Sequence, residues 1–142
     1  MLKAAFYKGT RPGADGLYNR GVRFWCQGPY SHCELVFSDG MAASASFMDG
    51  GVRFKAITFD PANWDLLELP RANEAAARTW FTEHLGAGYD IVGNLRFIVS
   101  PLPDDPAKFF CSEAVLAALG FAEPWRFCPN GAYDILKTAE VS

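Results

Sequence analysis

Histidine is scarce in this sequence, with two in 142 residues, and there is no excess of positive charge: 13 lysines and arginines stand against 16 acidic residues, a formal charge of −3 at neutral pH. Without a basic stripe to neutralise phosphates, nucleic acid is not an expected partner. No stretch approaches the roughly 18 apolar residues of a membrane span. The N-terminal MLKAAFYKGTRPG also lacks the long apolar segment of a secretory signal. The expectation is a cytoplasmic protein with no membrane span. The four cysteines, at 26, 33, 111 and 128, fall in no CxxC spacing and have only two histidines beside them. That pattern predicts neither a structural zinc site nor another metal or cofactor, and reduced thiols are the default. Repeats, low-complexity tracts and linker-like stretches are also missing.

Half of the residues are hydrophobic, 15% are aromatic and only 20% are charged, the balance of a chain that folds. At this length a single domain spanning 1–142 buries roughly 70% of the surface its unfolded form exposes. Lys3 to Tyr7 reads as an opening strand. After Pro12 and Gly13, the spacing of Leu17, Tyr18, Gly21, Val22 and Trp25 predicts an amphipathic helix with Arg20 and Arg23 on its other side, ending near Gln27-Gly28-Pro29. Ser31 to Phe37 and Met41 to Phe47 alternate around Ser38-Asp39-Gly40, the pattern of a β-hairpin. Further strands are expected from Gly51 to Thr58 and from Trp64 to Leu69. Asn73 to Leu85 then turns helical, with Ala77, Trp80, Phe81 and His84 on one stripe and Gly86 as a stop. A loop with Pro101, Pro103 and Pro106 leads to CSEAVLAALG, and Pro129-Asn130-Gly131 precedes a short last helix over Ala132 to Lys137. Antiparallel strands packed against helices make this an α+β domain.

A thiol nucleophile needs a depressed pKa and N–H groups for an oxyanion, and a helix N-terminus with an imidazolium nearby supplies both. Cys111 has that setting if the helical stripe begins with it. If the helix starts earlier, with Asp105 as N-cap and Pro106 in the first turn, Cys111 is a small core residue in mid-helix. Of the two histidines, His84 ends an apolar helical stripe, where packing and a helix-end charge explain it. His32 lies on a strand whose period of two puts His32, Glu34 and Val36 on one face and Cys33, Leu35 and Phe37 on the other. A third polar group usually orients such a ring. With a three-residue hairpin loop, Glu34 stands opposite Ser44 and His32 opposite Ser46; a two-residue loop sends both serines to the other face. The serines have an alternative use, as small residues that let something pack closely. Trp25, Tyr30, Phe109 and Phe110 are either core or the lining of an apolar acyl pocket.

The segments PYSHCELVFSDG, DGGVRF, GAGYDIVGNL and FFCSEAVLAALG, in this order, resemble the circularly permuted branch of the NlpC-type cell-wall peptidase superfamily. That branch includes the YiiX-like and lecithin:retinol-acyltransferase-like proteins, and its small phage-encoded members are the most similar. The resemblance extends from about Lys3 to Gly131. It implies a permuted papain-like fold with the histidine strand ahead of the cysteine helix, Cys111 as nucleophile, His32 as base, and Tyr89, followed by Gly93, lining the site. The family places histidine, glutamate or glutamine on the next strand, where this chain has Ser44. Ser44 is therefore the expected third member. Glu34 is an alternative from the histidine's own strand, although i, i+2 side chains share a face without naturally converging. Tyr30, Tyr89 and Glu34 are the expected substrate contacts. The implied activity is thiol acyl transfer on a peptide or acyl substrate, most commonly a peptidoglycan stem peptide, with lipid amides and esters as the alternative. Release by lysis or assembly into a phage particle follows from the same resemblance. A non-catalytic particle module with a decayed triad is the rival that Ser44 suggests.

Overall fold

The computed structural model describes residues 1–10, 13–46, 49–89 and 108–141; within these the side chains of Ala14, Asp15, Tyr18, Trp25, Tyr89, Lys108, Phe109 and Val141 fall outside the description. Gly93, Pro101, Pro103, Asp105 and Pro106 lie outside the described residues as well.

Five strands form one antiparallel sheet: β1 (Lys3–Tyr7), β2 (His32–Val36), β3 (Met41–Ser46), β4 (Gly51–Ala56) and β5 (Trp64–Glu68), in the order β4-β3-β2-β1-β5. The β2–β3 register pairs Leu35 with Ala43 and Val36 with Ala42, and the Phe37 N–H bonds the Met41 carbonyl (2.9 Å), which fixes a three-residue loop. Gly40 takes the left-handed conformation this loop needs (φ 87°). One face of the sheet is apolar in strict alternation, with Ala4, Phe6, Cys33, Leu35, Phe37, Ala43, Ala45 and Val52 buried in one core. The alanines keep β1 and β3 low, so that helices can approach closely.

Two helices pack on this face: α2 (Glu74–Glu83), capped by the Asn73 side chain, which accepts from the Ala76 N–H (3.0 Å), and α3 (Cys111–Ala118). A short parallel pair, β6 (Gly88–Tyr89) with β7 (Lys108–Phe109), runs into the start of α3. The extended backbone at 108–110 removes the earlier helix start considered above, because residues 108–110 are not helical. The last helix, α4 (Pro129–Val141), is longer than the pattern suggested. It takes Pro129-Asn130-Gly131 into its first turn, since proline has no N–H to lose there and its φ suits a helix start.

The first helix, α1 (Ala14–Cys26), ends as expected, with Gln27 left-handed (φ 53°), but the described members of the stripe the spacing marked, Leu17, Gly21 and Val22, are not buried. Leu17 is 72% exposed, while Asn19 is buried because its amide donates to the Ser31 hydroxyl (3.0 Å). A satisfied buried amide thus replaces an apolar contact. Among the described residues no helix is long and apolar enough to cross a membrane. No three His, Cys, Asp or Glu side chains among them gather where they could hold a metal ion.

Candidate active site

Cys111 is the first residue of α3. Phe110 before it is extended, and its carbonyl accepts the first helical bond from the Ala114 N–H (3.0 Å). The Glu113 carboxylate turns back to accept from the Phe110 N–H (3.4 Å). This is the glutamate half of a capping box, since phenylalanine offers no acceptor for the other half. The thiol is therefore carried at a helix start, where the positive end of the dipole favours a thiolate.

Cys111 meets the sheet where β2 and β3 part. Beyond the Leu35–Ala43 pair, the Cys33 carbonyl accepts from the Ser44 hydroxyl (2.7 Å). The Cys33 thiol and backbone N–H both hydrogen-bond the Cys111 sulfur. The Cys33 thiol bond, with the charge and hydrogen bond of His32, holds the Cys111 thiol well below its ordinary value, although burial opposes this. Cys33 is pushed the other way, first by burial and then by Cys111, and so remains the proton donor.

His32 begins β2, where it is paired with Tyr7, and its ring is 18% exposed. Nε2 lies 2.7 Å from Glu34 Oε1, which leaves Nδ1 for the thiol. The Trp64 ring stands edge-on to the imidazole at 6.4 Å between centroids. Burial would lower the His32 pKa, but the Cys111 thiolate and Glu34 outweigh it and raise it to about 9. Cysteine down and histidine up is the signature of a thiolate–imidazolium pair at neutral pH.

Glu34 is the group that orients the ring. Its side chain is only 1% exposed. Burial favours the neutral acid, yet bonds from Arg53 and His32 hold its pKa below the usual value. The Arg53 guanidinium grips both oxygens, Nη1 to Oε2 at 2.7 Å and Nη2 to Oε1. Its Nε donates to Asp49 (2.8 Å), which Lys55 also contacts (3.1 Å).

The expected Ser44 contact with the ring is not made. Although the three-residue loop places Ser44 in the register that would allow it, its hydroxyl is committed to the Cys33 carbonyl. Its small size has another effect: Ser44 stands opposite Arg53 in the β3–β4 ladder, and the guanidinium reaches past it to Glu34 on β2. The expectation that Glu34 would not converge on His32 is corrected, because Oε1 lies 2.7 Å from the ring nitrogen while the Arg53 fork holds the same carboxylate. A carboxylate enclosed by these two partners is also not placed as a substrate contact. Tyr30 is buried in the core and donates its hydroxyl to Asp65 (2.6 Å). Phe110 is buried in the core as well. The Tyr89 side chain is outside the description. His84 ends α2, stacked on Trp80 with ring centroids 3.9 Å apart and bonded through Nδ1 to the Trp80 carbonyl (2.7 Å).

Arg53 escaped the sequence reading. Its signal was the alternation of DGGVRFK, which puts Arg53 on the face opposite Val52, but reaching Glu34 from there requires the register across three strands. A second thiol pair lies near the site. Cys128 just precedes α4, and its pKa is lowered to about 7 by a hydrogen bond from Cys26 and by the Gly131 and Asn130 N–H groups, against burial. All four cysteines are free. No family model, curated protein or solved structure matches the chain.

Proposed function

We propose that this protein is a cysteine hydrolase working by thiol acyl transfer on an amide or ester, with Cys111 as nucleophile, His32 as acid and base, and Glu34 orienting His32. The observation that supports the reading best is the His32 imidazole held between the Cys111 thiol at a helix start and a buried carboxylate 2.7 Å from Nε2. In the proposed reaction the thiolate adds to the substrate carbonyl, whose oxygen takes the negative charge near the N–H groups of α3's first turn. Collapse breaks the bond to the leaving group, which takes the proton from imidazolium, leaving a thioester and neutral His32. Neutral His32 then deprotonates water, which attacks the thioester. Collapse releases the acid and restores thiolate and imidazolium.

A buried carboxylate partner for the imidazole removes the reason Ser44 gave for reading a decayed triad. The substrate class follows the resemblance of the cysteine and histidine segments to the permuted papain-like, NlpC-type superfamily: a peptidoglycan stem-peptide amide, in the setting of a phage. The test is hydrolysis of stem-peptide fragments and of acyl esters by wild type and Cys111→Ala. The proposal expects stem-peptide cleavage that falls at least about 1000-fold in the variant. Cleavage of esters alone would move the substrate to acyl lipids. Equal rates for the two proteins, or no hydrolysis of either substrate, would remove the enzyme.

A further inference from the structure

We infer that Arg53 is a positioning residue for the Cys111–His32 pair and acts through Glu34, clamping the carboxylate in the placement from which Oε1 holds the imidazole. The inference rests on the thiolate–imidazolium reading above and concerns a residue that never touches the reacting atoms.

Glu34 and His32 are two apart on one strand, so their side chains leave the backbone side by side and do not converge unaided. Convergence is observed nonetheless, with Nε2 and Oε1 at 2.7 Å. The part that explains it lies two strands away. Arg53 on β4 spans β3 at Ser44 and engages both carboxylate oxygens, while its remaining Nε is tied to Asp49 (2.8 Å). A guanidinium fork fixed at both ends sets the plane of the carboxylate, which a flexible ammonium does not do. The arginine side chain is 15% exposed, so this pairing is largely shielded from solvent. Among the described residues, the charged groups facing Glu34 and Arg53 are His32 on β2, Asp49 before β4 and Lys55 on β4, with Cys111 of α3 beyond the imidazole. The signs alternate from the thiolate through imidazolium, carboxylate and guanidinium to Asp49 and Lys55. Removing Arg53 leaves a buried carboxylate short of a cation and free to rotate or take up a proton. Either change weakens the imidazolium and, with it, the thiolate.

The test follows carbamidomethylation of Cys111 by iodoacetamide against pH, read on the Cys111 peptide by mass spectrometry so that Cys128 does not interfere. Wild type, Arg53→Lys, Arg53→Gln, Glu34→Gln and the Arg53→Gln/Glu34→Gln double variant are compared, with circular dichroism as the check of fold. In wild type the reaction persists at pH 6. In Arg53→Gln the acid limb moves up by about one pH unit, a roughly tenfold slower reaction at pH 6, within the 10- to 100-fold range of lost orienting partners. Arg53→Lys, with charge but no fork, falls between. In the Glu34→Gln background Arg53→Gln adds nothing further. A purely structural arginine would lower stability and leave the profile in place. Superimposed wild-type and Arg53→Gln profiles, or additive effects with Glu34→Gln, overturn the inference. If Arg53→Gln does not fold, an Arg53→Lys profile identical to wild type overturns it, and a shifted one supports it. A wild-type Cys111 titrating like a free thiol near ~8.5 overturns the thiolate reading itself. A low wild-type value with unmoved arginine variants overturns only the role of Arg53.

Discussion

At the scale of the residue, the distinction that matters is between Ser44 and Glu34. Both are polar and buried, but the serine proton goes to the Cys33 carbonyl and the carboxylate goes to the ring. Ser44→Ala is therefore a stability change: it leaves a buried carbonyl short of a donor, at a cost of about 1–3 kcal/mol. Urea denaturation should show that loss while the pH dependence of Cys111 alkylation stays where it is in wild type. A shift of the alkylation profile in Ser44→Ala would return the serine to the triad. The scarcity of histidine made His32 a candidate, because only two exist and one of them ends an apolar stripe, whereas Cys111 stood out among four cysteines by its place at the start of a helical stripe and by the family resemblance. The orienting partner was hidden, since an i, i+2 pair converges only when a third group forces it, and that group is 19 residues away from Glu34 in sequence.

At the scale of the element, the position of Cys111 depends on a chain of backbone contacts that begins in β4. Gly51 has φ 136°, and a Cβ there would run into the Ala87 carbonyl, which accepts from the Val52 N–H (2.8 Å). Ala87 leads into β6, β6 pairs with β7, and β7 ends one residue before the N-cap Phe110 and two before Cys111. Gly51→Ala therefore combines strained backbone with a steric clash, at a cost of about 1–3 kcal/mol. A lowered urea midpoint with an unchanged slope is the expected result; an unchanged midpoint would show that β4 and Ala87 are not held together as described. The strands of the main sheet were legible because period-two runs are punctuated by Ser38-Asp39-Gly40 and Asp49-Gly50-Gly51. The faces of α1 were not, because Asn19 goes inward on a hydrogen bond that no hydrophobic pattern signals. The start of α4 was missed because Pro-Asn-Gly was placed ahead of the helix, when proline in a first turn suits a helix well.

At the scale of the whole molecule, the α+β class and the antiparallel sheet could be read from the order of elements, while the meeting of β2, β4 and α3 is a tertiary fact. Its charges give stability a definite pH dependence. The His32 contribution, from a pKa raised from 6.5 to about 9, is full below 6.5 and is lost as pH rises through 9. The Cys111 contribution, from a pKa depressed below 9.0, grows over the same window and is full above 9.0, so the two offset each other there. On the acid side nothing offsets the loss. Glu34, lowered from 4.5, and Asp49, lowered to about 2, contribute fully above their unfolded values and lose their contributions as they protonate. Melting temperature should accordingly not decline between pH 6.5 and 9, where the lowered Cys128 thiol adds a rising contribution, and should fall below about 4.5. A steady decline from pH 6.5 to 9 would mean that His32 is raised without a thiolate beside it. The most direct measurement of the pair is the thiolate absorbance near 240 nm, titrated in wild type, Cys111→Ala and His32→Ala. The account predicts a thiolate signal in wild type at pH 6 that falls in Cys111→Ala to the remainder carried by Cys128 and moves upward in His32→Ala. A wild-type titration that shows no thiolate below pH 8, or one unchanged by loss of Cys111, would contradict it.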